Sequence, residues 1–123
     1  MSSRFGMDSI VRFATDLESF PAGQTIFSEG SNGDVMYVVK EGEVEVKVHG
    51  HVVEVVGPGG ILGEMALIDQ NPRSATAIAK TACTLVPVNE ARFKFLVQQA
   101  PAFSLEVMRV MALRLRKMDA ETP

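Results

Sequence analysis

The residues with the most suggestive chemistry lie in the segment 63–76, which reads GEMALIDQNPRSAT. Gly63 is followed by an acidic residue, Glu64, and nine positions later Arg73 precedes the hydroxyl residue Ser74. An arginine carries a planar fork of donors that fits phosphate in a bidentate way, and a serine hydroxyl adds another donor. A carboxylate only accepts hydrogen bonds, so Glu64 suits the hydroxyls of a sugar. The segment therefore predicts an anion site with a diol beside it.

The backbone of this segment favours the same interpretation. Gly63 permits a positive φ angle, and the four residues after it are helix formers whose first turn could attract an anion with its N–H groups. Asn71-Pro72 is a turn signal, so the chain is expected to reverse before Arg73. The alternative is that Glu64 and Arg73 form an ordinary solvated surface pair, which would contribute little.

This pattern resembles the phosphate-binding cassette of the cyclic nucleotide-binding domain family, which includes the bacterial catabolite activator and the regulatory subunits of cyclic-AMP-dependent kinase. The similarity extends beyond the cassette, from about Phe20 to Met118. Two further segments resemble the family's entry strands and central hairpin. They are FPAGQTIF at 20–27 followed by Glu29-Gly30, and GDVMYVV at 33–39 followed by Gly42 and Val44.

The resemblance implies a set of nine ligand-binding residues. Arg73 would pair with the cyclic phosphate, helped by Ser74 and by backbone groups, and Glu64 would accept the ribose 2′-hydroxyl. Sheet residues would form an apolar wall under the base. Leu62 stands where many members carry phenylalanine, which we expect to change packing more than ligand contact. The implied ligand-binding residues are Leu62, Gly63, Glu64, Met65, Ala66, Arg73, Ser74, Ala75 and Val53.

The resemblance also implies a ligand and a mode of action. Ser74 resembles the bacterial cyclic-AMP activator more than the threonine frequent in cyclic-GMP-selective members, which favours cyclic AMP and leaves cyclic GMP as the alternative. No other cofactor is expected. Binding would shift Leu67 against the C-terminal helices, which would then engage a protein effector or a fused output domain. A homodimer through the last helix would fit the same arrangement.

The last helix of catabolite-activator relatives continues as a lid over the base and leads into a helix-turn-helix that reads DNA. Met118 and Asp119 fall about where the lid residues would begin, and only residues 120–123 follow them. The sequence therefore predicts no DNA-reading helix within this chain.

The composition is that of an ordinary single globular domain. The chain has 123 residues, 46% of them hydrophobic and 22% charged, and its net charge of −3 disfavours general affinity for nucleic acid. No apolar stretch approaches a membrane span and the N-terminus lacks signal-peptide features, so a cytoplasmic location is expected. Cys83, the single cysteine, lies in the apolar run TACTLVPV and is expected to be a buried structural thiol.

The order of hydrophobic patterns predicts three regions: a helical lead-in at 1–19, a β-roll at 20–89 that contains the cassette, and C-terminal helices at 90–119. In the lead-in, Asp8 or Ser9 is expected to cap a short helix that ends at Phe13 and packs on the later helices. Many short strands separated by Gly, Pro and Asn are typical of a barrel or jelly roll. The expected fold class is mainly β with flanking helices, a double-stranded β-helix (jelly-roll-like β-roll) followed by C-terminal helices.

Alternation and capping signals locate individual elements. Residues 43–48 alternate polar and apolar, which places their valines on one face of a half-buried strand. Asn89 can cap a helix through Val97, and Pro101 begins a second helix. Arg109, Arg116 and Lys117 of the second helix are expected in solvent, whereas Arg114 could reach the site. The apolar stripe of that helix, expected to dock on the β-roll or another subunit, comprises Phe103, Val107, Met111, Leu115 and Met118.

Two other function classes remain as alternatives. His49 and His51, with Glu54 downstream, faintly resemble the first metal motif of the cupin family, but the chain has only two histidines and Gly50 favours a hairpin tip. A scaffold that docks proteins without a ligand is the second alternative, because a retained fold does not guarantee a retained function. No nucleophile, base and orienting group form a catalytic set, so enzyme activity is not expected.

Overall fold

The computed structural model describes residues 10, 11 and 14–121, with side chains through residue 117. Within those residues, eight strands form two four-stranded antiparallel sheets, ordered β1-β8-β3-β6 and β2-β7-β4-β5, and three helices accompany them. This architecture confirms the predicted fold class. The strands are β1 Glu18–Phe20, β2 Thr25–Phe27, β3 Val35–Glu41, β4 Val44–Val48, β5 His51–Val56, β6 Ile61–Leu62, β7 Thr76–Ala79 and β8 Cys83–Asn89, and the helices are α1 Glu64–Asp69, α2 Glu90–Gln99 and α3 Pro101–Glu121.

The sheet that contains β3 and β8 is covered on both faces. Met36 and Val38 of β3 belong to a buried cluster with Phe103 and Val107 of α3. Val39, whose side chain points to the opposite face of the strand from Val38, packs in a second cluster with residues of the other sheet. Because successive side chains of a strand point to opposite faces, a strand buried on both sides reads as an almost continuous apolar run. The run VMYVV in β3 has this origin.

The hairpin of β4 and β5 lies at one end of the second sheet, with β5 as an edge strand. His49 and Gly50 at its tip have φ angles of 52° and 83°, the left-handed pair that a tight two-residue hairpin turn requires. Val46 pairs with Glu54 but Lys47 pairs with Val52, so Val53 is the extra residue of a β-bulge. The bulge leaves Glu54 opposite Val46, on the same face of the sheet.

The helices after the sheet begin where the sequence predicts. The Asn89 side chain accepts a hydrogen bond of 2.9 Å from the backbone N–H of Arg92, which confirms the predicted cap. Helix α2 ends at Gln99, two residues beyond the predicted Val97, and α3 begins at Pro101 as expected. None of the helices described is long and apolar enough to cross a membrane.

The apolar stripe of α3 docks over only part of its length. Phe103 and Val107 are buried and Met111 packs against their cluster, but Leu115 is 54% exposed. At Leu115 the stripe does not dock on the β-roll, because that turn of α3 lies over an open cavity and not over the core, and docking of this part on another subunit stays a prediction. The side chain of Met118 lies outside the described residues.

Two other predictions concern the lead-in and the cysteine. Ile10 and Val11 are helical, and Ile10 is buried in the cluster of Phe103 and Val107, as expected of a lead-in that packs on the later helices. The predicted cap at Asp8 or Ser9 and the helix end at Phe13 fall outside the described residues. Cys83 is buried, as predicted, and burial raises the pKa of its thiol.

Candidate functional site

A cavity of about 430 Å³ opens between the second sheet, α1 and the last turns of α3. It brings together all nine residues that the sequence singled out, which are Val53, Leu62, Gly63, Glu64, Met65, Ala66, Arg73, Ser74 and Ala75. Seven further residues line it: Phe27, Val46, Val48, Glu54, Arg114, Leu115 and Lys117.

The guanidinium of Arg73 is held by backbone oxygens. Only 6% of the residue is exposed, and its Nη1 and Nη2 donate to the carbonyls of Gly63 (3.1 Å) and Val35 (2.7 Å). No carboxylate of the described residues forms an ion pair with it. Its Nε is buried and has no hydrogen-bond partner among the residues that the structure describes. A buried cation without a counterion is costly unless something compensates its charge, so this end of the cavity is suited to an anion.

Aromatic and glycine neighbours fix the position of this guanidinium. The Arg73 Cζ lies 4.2 Å from the centroid of the Phe27 ring, and that ring stacks on Tyr37. A Cβ atom at Gly63 would lie 2.5 Å from Nη1, and one at Gly33 would overlap the other side of the group. Burial lowers the pKa of Arg73, although the charges of Tyr37 and nearby carboxylates oppose that shift.

The chain around Arg73 reverses as the sequence predicts. The backbone N–H of Arg73 donates to the Ser31 carbonyl, and the Gly30 N–H donates to the Arg73 carbonyl, both at 2.8 Å. This pair of bonds anchors the backbone of Arg73 to the loop between β2 and β3. Gly63, with a φ of 77°, precedes α1 and provides no side-chain cap. Because the helix has only six residues, we attribute the positive charge at this end of the cavity mainly to Arg73 and not to the helix N-terminus.

The partner of Glu64 is an arginine of α3, not Arg73. Glu64 is 3% exposed, and its Oε1 accepts a hydrogen bond of 2.7 Å from Nη1 of Arg114. Arg114 also binds both oxygens of Glu54, at 3.0 and 3.1 Å, and the Ile61 carbonyl at 2.8 Å. Burial alone would lower the pKa of Arg114, but its bonds to Glu54 and the charge of Glu64 outweigh burial and raise that pKa. The surface-pair alternative for Glu64 and Arg73 is therefore wrong.

The residues that sequence reasoning missed come mostly from the sheet. Val46 and Val48 lie on the valine face predicted for residues 43–48, and that face is the cavity wall. Glu54 interrupts the apolar run HVVEVV, which is a weak signal for an inward-facing charge. Lys117, expected in solvent, has an exposed side chain, but its Nζ donates to the Val53 carbonyl.

The two histidines lie away from the cavity. His49 is at the hairpin tip, where its backbone N–H and its ring contact the Glu29 carboxylate at 3.1 and 3.5 Å. The Glu54 carboxylate is bound to Arg114, so it does not join the histidines. Among the residues that the structure describes, no group of three or more His, Cys, Asp or Glu could hold a metal ion.

Comparison with known proteins gives consistent results. The chain is 29% identical over 105 residues, 81% of its length, to a CRP-like cAMP-activated global transcriptional regulator of Mycobacterium tuberculosis. It is 41% identical over 107 residues, 87% of its length, to a cyclic nucleotide-gated potassium channel of Mesorhizobium japonicum. The crystal structure of Thermus thermophilus catabolite activator protein matches 98% of this chain and 61% of that chain, with a TM-score of 0.81 and 27% identity.

These relatives are longer than the matched region. The chain spans 47% of the mycobacterial regulator and 29% of the channel. Residues 17–100 match the sequence model of a family described as the cyclic nucleotide-binding domain, and this range is more than half of the chain. The chain belongs to the cyclic nucleotide-binding domain family.

Proposed function

We propose that this chain is a sensor module for cyclic AMP that holds the cyclic phosphate at Arg73 and the ribose at Glu64. The observation that carries the proposal is the state of Arg73. Arg73 is 6% exposed, and among the described residues its guanidinium has no carboxylate partner and its buried Nε has no hydrogen-bond acceptor. A monoanionic phosphate at this end would supply both the missing charge and the missing acceptor.

The rest of the cavity has the chemistry of a nucleoside site. Its volume of about 430 Å³ falls within the range of about 300 to 1,000 Å³ that is usual for small-molecule pockets. Ser74 would add a hydroxyl donor to the phosphate, and the Glu64 carboxylate would accept the ribose 2′-hydroxyl. The base would lie on the apolar wall that includes Val46, Val53 and Leu62.

The choice of cyclic AMP over cyclic GMP rests on two observations. Ser74, the residue after the site arginine, resembles the bacterial cyclic-AMP activator, and the mycobacterial relative is named as cAMP-activated. The phosphate and ribose contacts are common to both nucleotides, so cyclic GMP is the alternative ligand.

Transmission of the signal would pass through α1. Leu67 of α1 is buried in the same cluster as Phe103 and Val107 of α3, so a rearrangement of the Glu64 end of α1 would disturb the packing of α3. The ligand would shift the equilibrium between two arrangements of α3 by its difference in affinity for them. The output would be a protein effector or a fused domain, and the exposed residues Leu105, Met108 and Leu115 of α3 would suit a homodimer.

Titration calorimetry of the purified chain with cyclic AMP, cyclic GMP and 5′-AMP tests the proposal. We expect micromolar or tighter binding of cyclic AMP, weaker binding of cyclic GMP, and much weaker binding of the non-cyclic nucleotide. A preference for cyclic GMP would change the proposed ligand but not the proposed site. If the folded chain binds neither cyclic nucleotide, the proposal is wrong and a ligand-free scaffold becomes the better explanation.

A further inference from the structure

We propose that Glu54 is a positioning residue for sugar recognition: it fixes the Arg114 guanidinium, and Arg114 in turn orients the Glu64 carboxylate toward the ribose. The inference rests on the proposed function, because it takes Glu64 as the acceptor of the ribose hydroxyl. Glu54 itself need not touch the ligand for this effect.

The hydrogen bonds of Arg114 define the arrangement. Its Nε and Nη2 donate to Oε1 and Oε2 of Glu54 at 3.0 and 3.1 Å, a fork-to-fork pair that fixes the plane of the guanidinium. Once that plane is fixed, the direction of Nη1 is fixed as well. Nη1 donates to Oε1 of Glu64 at 2.7 Å, and Nη2 also reaches the Ile61 carbonyl at 2.8 Å. Four of the five guanidinium N–H groups are therefore engaged.

The effect on Glu64 follows from the sharing of one cation by two carboxylates. Arg114 contacts Glu64 through Oε1, which leaves Oε2 of the carboxylate to accept a hydroxyl. A guanidinium paired with Glu64 alone could rotate to bind both of its oxygens and so block them. Because Glu54 already takes two donors of Arg114, that rotation would break two charge-assisted bonds. Glu54 thus keeps Glu64 available to the sugar.

The position of Glu54 depends on the β-bulge at Val53. The bulge places Glu54 opposite Val46 of β4, on the sheet face that lines the cavity. Lys117, one helical turn after Arg114, donates to the carbonyl of Val53. Two side chains of α3 therefore bind consecutive residues of β5, one at the bulge and one just after it. These contacts hold α3 at the distance from the sheet that Arg114 needs to reach both carboxylates.

The test compares cyclic AMP with 2′-deoxy cyclic AMP, which lacks the hydroxyl assigned to Glu64. For the wild-type chain we expect the deoxy analogue to bind about 10-fold to 100-fold more weakly, the range for one hydrogen bond to a charged group. Glu54→Gln removes the charge and half of the fork. We expect this variant to lower the ratio of the affinity for cyclic AMP to the affinity for the deoxy analogue at least threefold. The affinity for cyclic AMP should fall, while the affinity for the deoxy analogue should stay within about threefold of the wild-type value.

A matched control is Glu45→Gln on β4, where Glu45 pairs with the exposed Val55 and does not line the cavity. It should leave the ratio unchanged. Arg114→Lys keeps the charge but lacks the fork, and should reduce the ratio as Glu54→Gln does. Because Glu54 acts through Arg114, the double variant should reduce the ratio no further than the stronger single variant. Arg114→Lys also tests the proposal if Glu54→Gln does not fold.

The possible results separate this inference from the proposed function. Failure of the wild-type chain to bind cyclic AMP would overturn the proposed function itself. Binding of cyclic AMP with an unchanged ratio in Glu54→Gln, or with both ligands weakened equally, would show that Glu54 is only a structural tether. Additive effects in the double variant would also overturn the inference, because they would mean that Glu54 and Arg114 act independently.

Discussion

Replacing Arg73 with methionine should weaken ligand binding strongly and leave the unliganded fold nearly as stable as before. Methionine fills much of the volume of the arginine stem without its charge. Losing one partner of a buried charge pair costs about 2 to 5 kcal/mol, or roughly 30-fold to several thousand-fold in affinity for a phosphate at this position. We expect cyclic AMP to bind to Arg73→Met more weakly by a factor in this range.

The expected effect on stability is small because two contributions oppose each other. The variant loses hydrogen bonds to the carbonyls of Gly63 and Val35 and the contact with Phe27. It also loses the desolvation cost of a buried cation that has no ion-pair partner within the described part of the chain, which is several kcal/mol in real proteins. Two hydrogen bonds to a charged group and one cation–π contact are of similar total size. The free energy of unfolding should therefore change by less than about 2 kcal/mol.

Thermal unfolding with and without ligand measures both effects at once. At a ligand concentration 100 times the wild-type Kd, binding should stabilise the wild-type chain by about 2.7 kcal/mol. A variant with a 300-fold higher Kd would gain only about 0.2 kcal/mol by the same relation. At roughly 3 to 5 °C per kcal/mol for a domain of this size, the Tm should rise by about 8 to 13 °C for wild type and by at most about 1 °C for the variant.

Arg92→Met is a suitable control because Arg92 lies on α2, pairs with the exposed Asp16 and does not line the cavity. It should keep the full ligand-induced shift of the Tm. The reasoning would be refuted if Arg73→Met melted at the wild-type temperature and still bound cyclic AMP within about threefold of wild type. An Arg73→Met chain that unfolds at room temperature would instead show that the cation is needed for the fold.

Three further predictions concern single contacts. Phe27→Leu removes the ring under Arg73 and should lower the affinity for cyclic AMP, measured by calorimetry, about 2-fold to 30-fold, which is the range of a cation–π contact. An unchanged affinity would mean that the ring does not position the arginine. Asn89→Ala should lower the free energy of unfolding by about 1 kcal/mol in urea titrations, whereas Asn89→Asp, which keeps the cap, should not. The raised pKa of the buried Cys83 thiol should make its alkylation slow at pH 8 in the native chain and fast in urea, and rapid alkylation of the native chain would contradict this. The contribution of the thiol to the free energy of unfolding should be full below the unfolded-state pKa of about 8.5 and should fall as the pH rises above that value.

The features that the sequence revealed are those encoded by neighbouring residues. The glycine before Glu64, the turn at Asn71-Pro72 and the cap at Asn89 all act over a few positions, and each was located correctly. The valine alternation of residues 43–48 also predicted one shared face, because the period of a strand is fixed by its geometry. Eight of the nine residues predicted for the site lie between 62 and 75, which is why the sequence could group them.

The features that the sequence did not reveal depend on contacts between distant residues. Phe27 lies 46 positions from Arg73, and Glu54 lies 60 positions from Arg114. Whether Glu54 faces the cavity depends on the bulge at Val53, since a shift of one residue in register turns a side chain to the opposite face. The bulge has no glycine or proline to mark it in the run HVVEVV. Arg114 could be suspected of reaching the site, but its partners could not be named.

The two arginines of the cavity differ in a way that would determine how a ligand lies in it. Arg73 has no ion-pair partner in the part of the chain that the structure describes, and burial lowers its pKa, whereas Arg114 is shared by Glu54 and Glu64 and its pKa is raised. Glu54 and Glu64 already occupy the Arg114 guanidinium, and Lys117 adds a second cation at that end of the cavity, so the carboxylates there are compensated. Under the proposed function, a phosphate would be attracted to Arg73, while a sugar hydroxyl would find its acceptor at Glu64. A cyclic nucleotide in the reverse orientation would leave the Arg73 charge uncompensated and its sugar without a carboxylate acceptor, so the two ends together would specify one direction of binding.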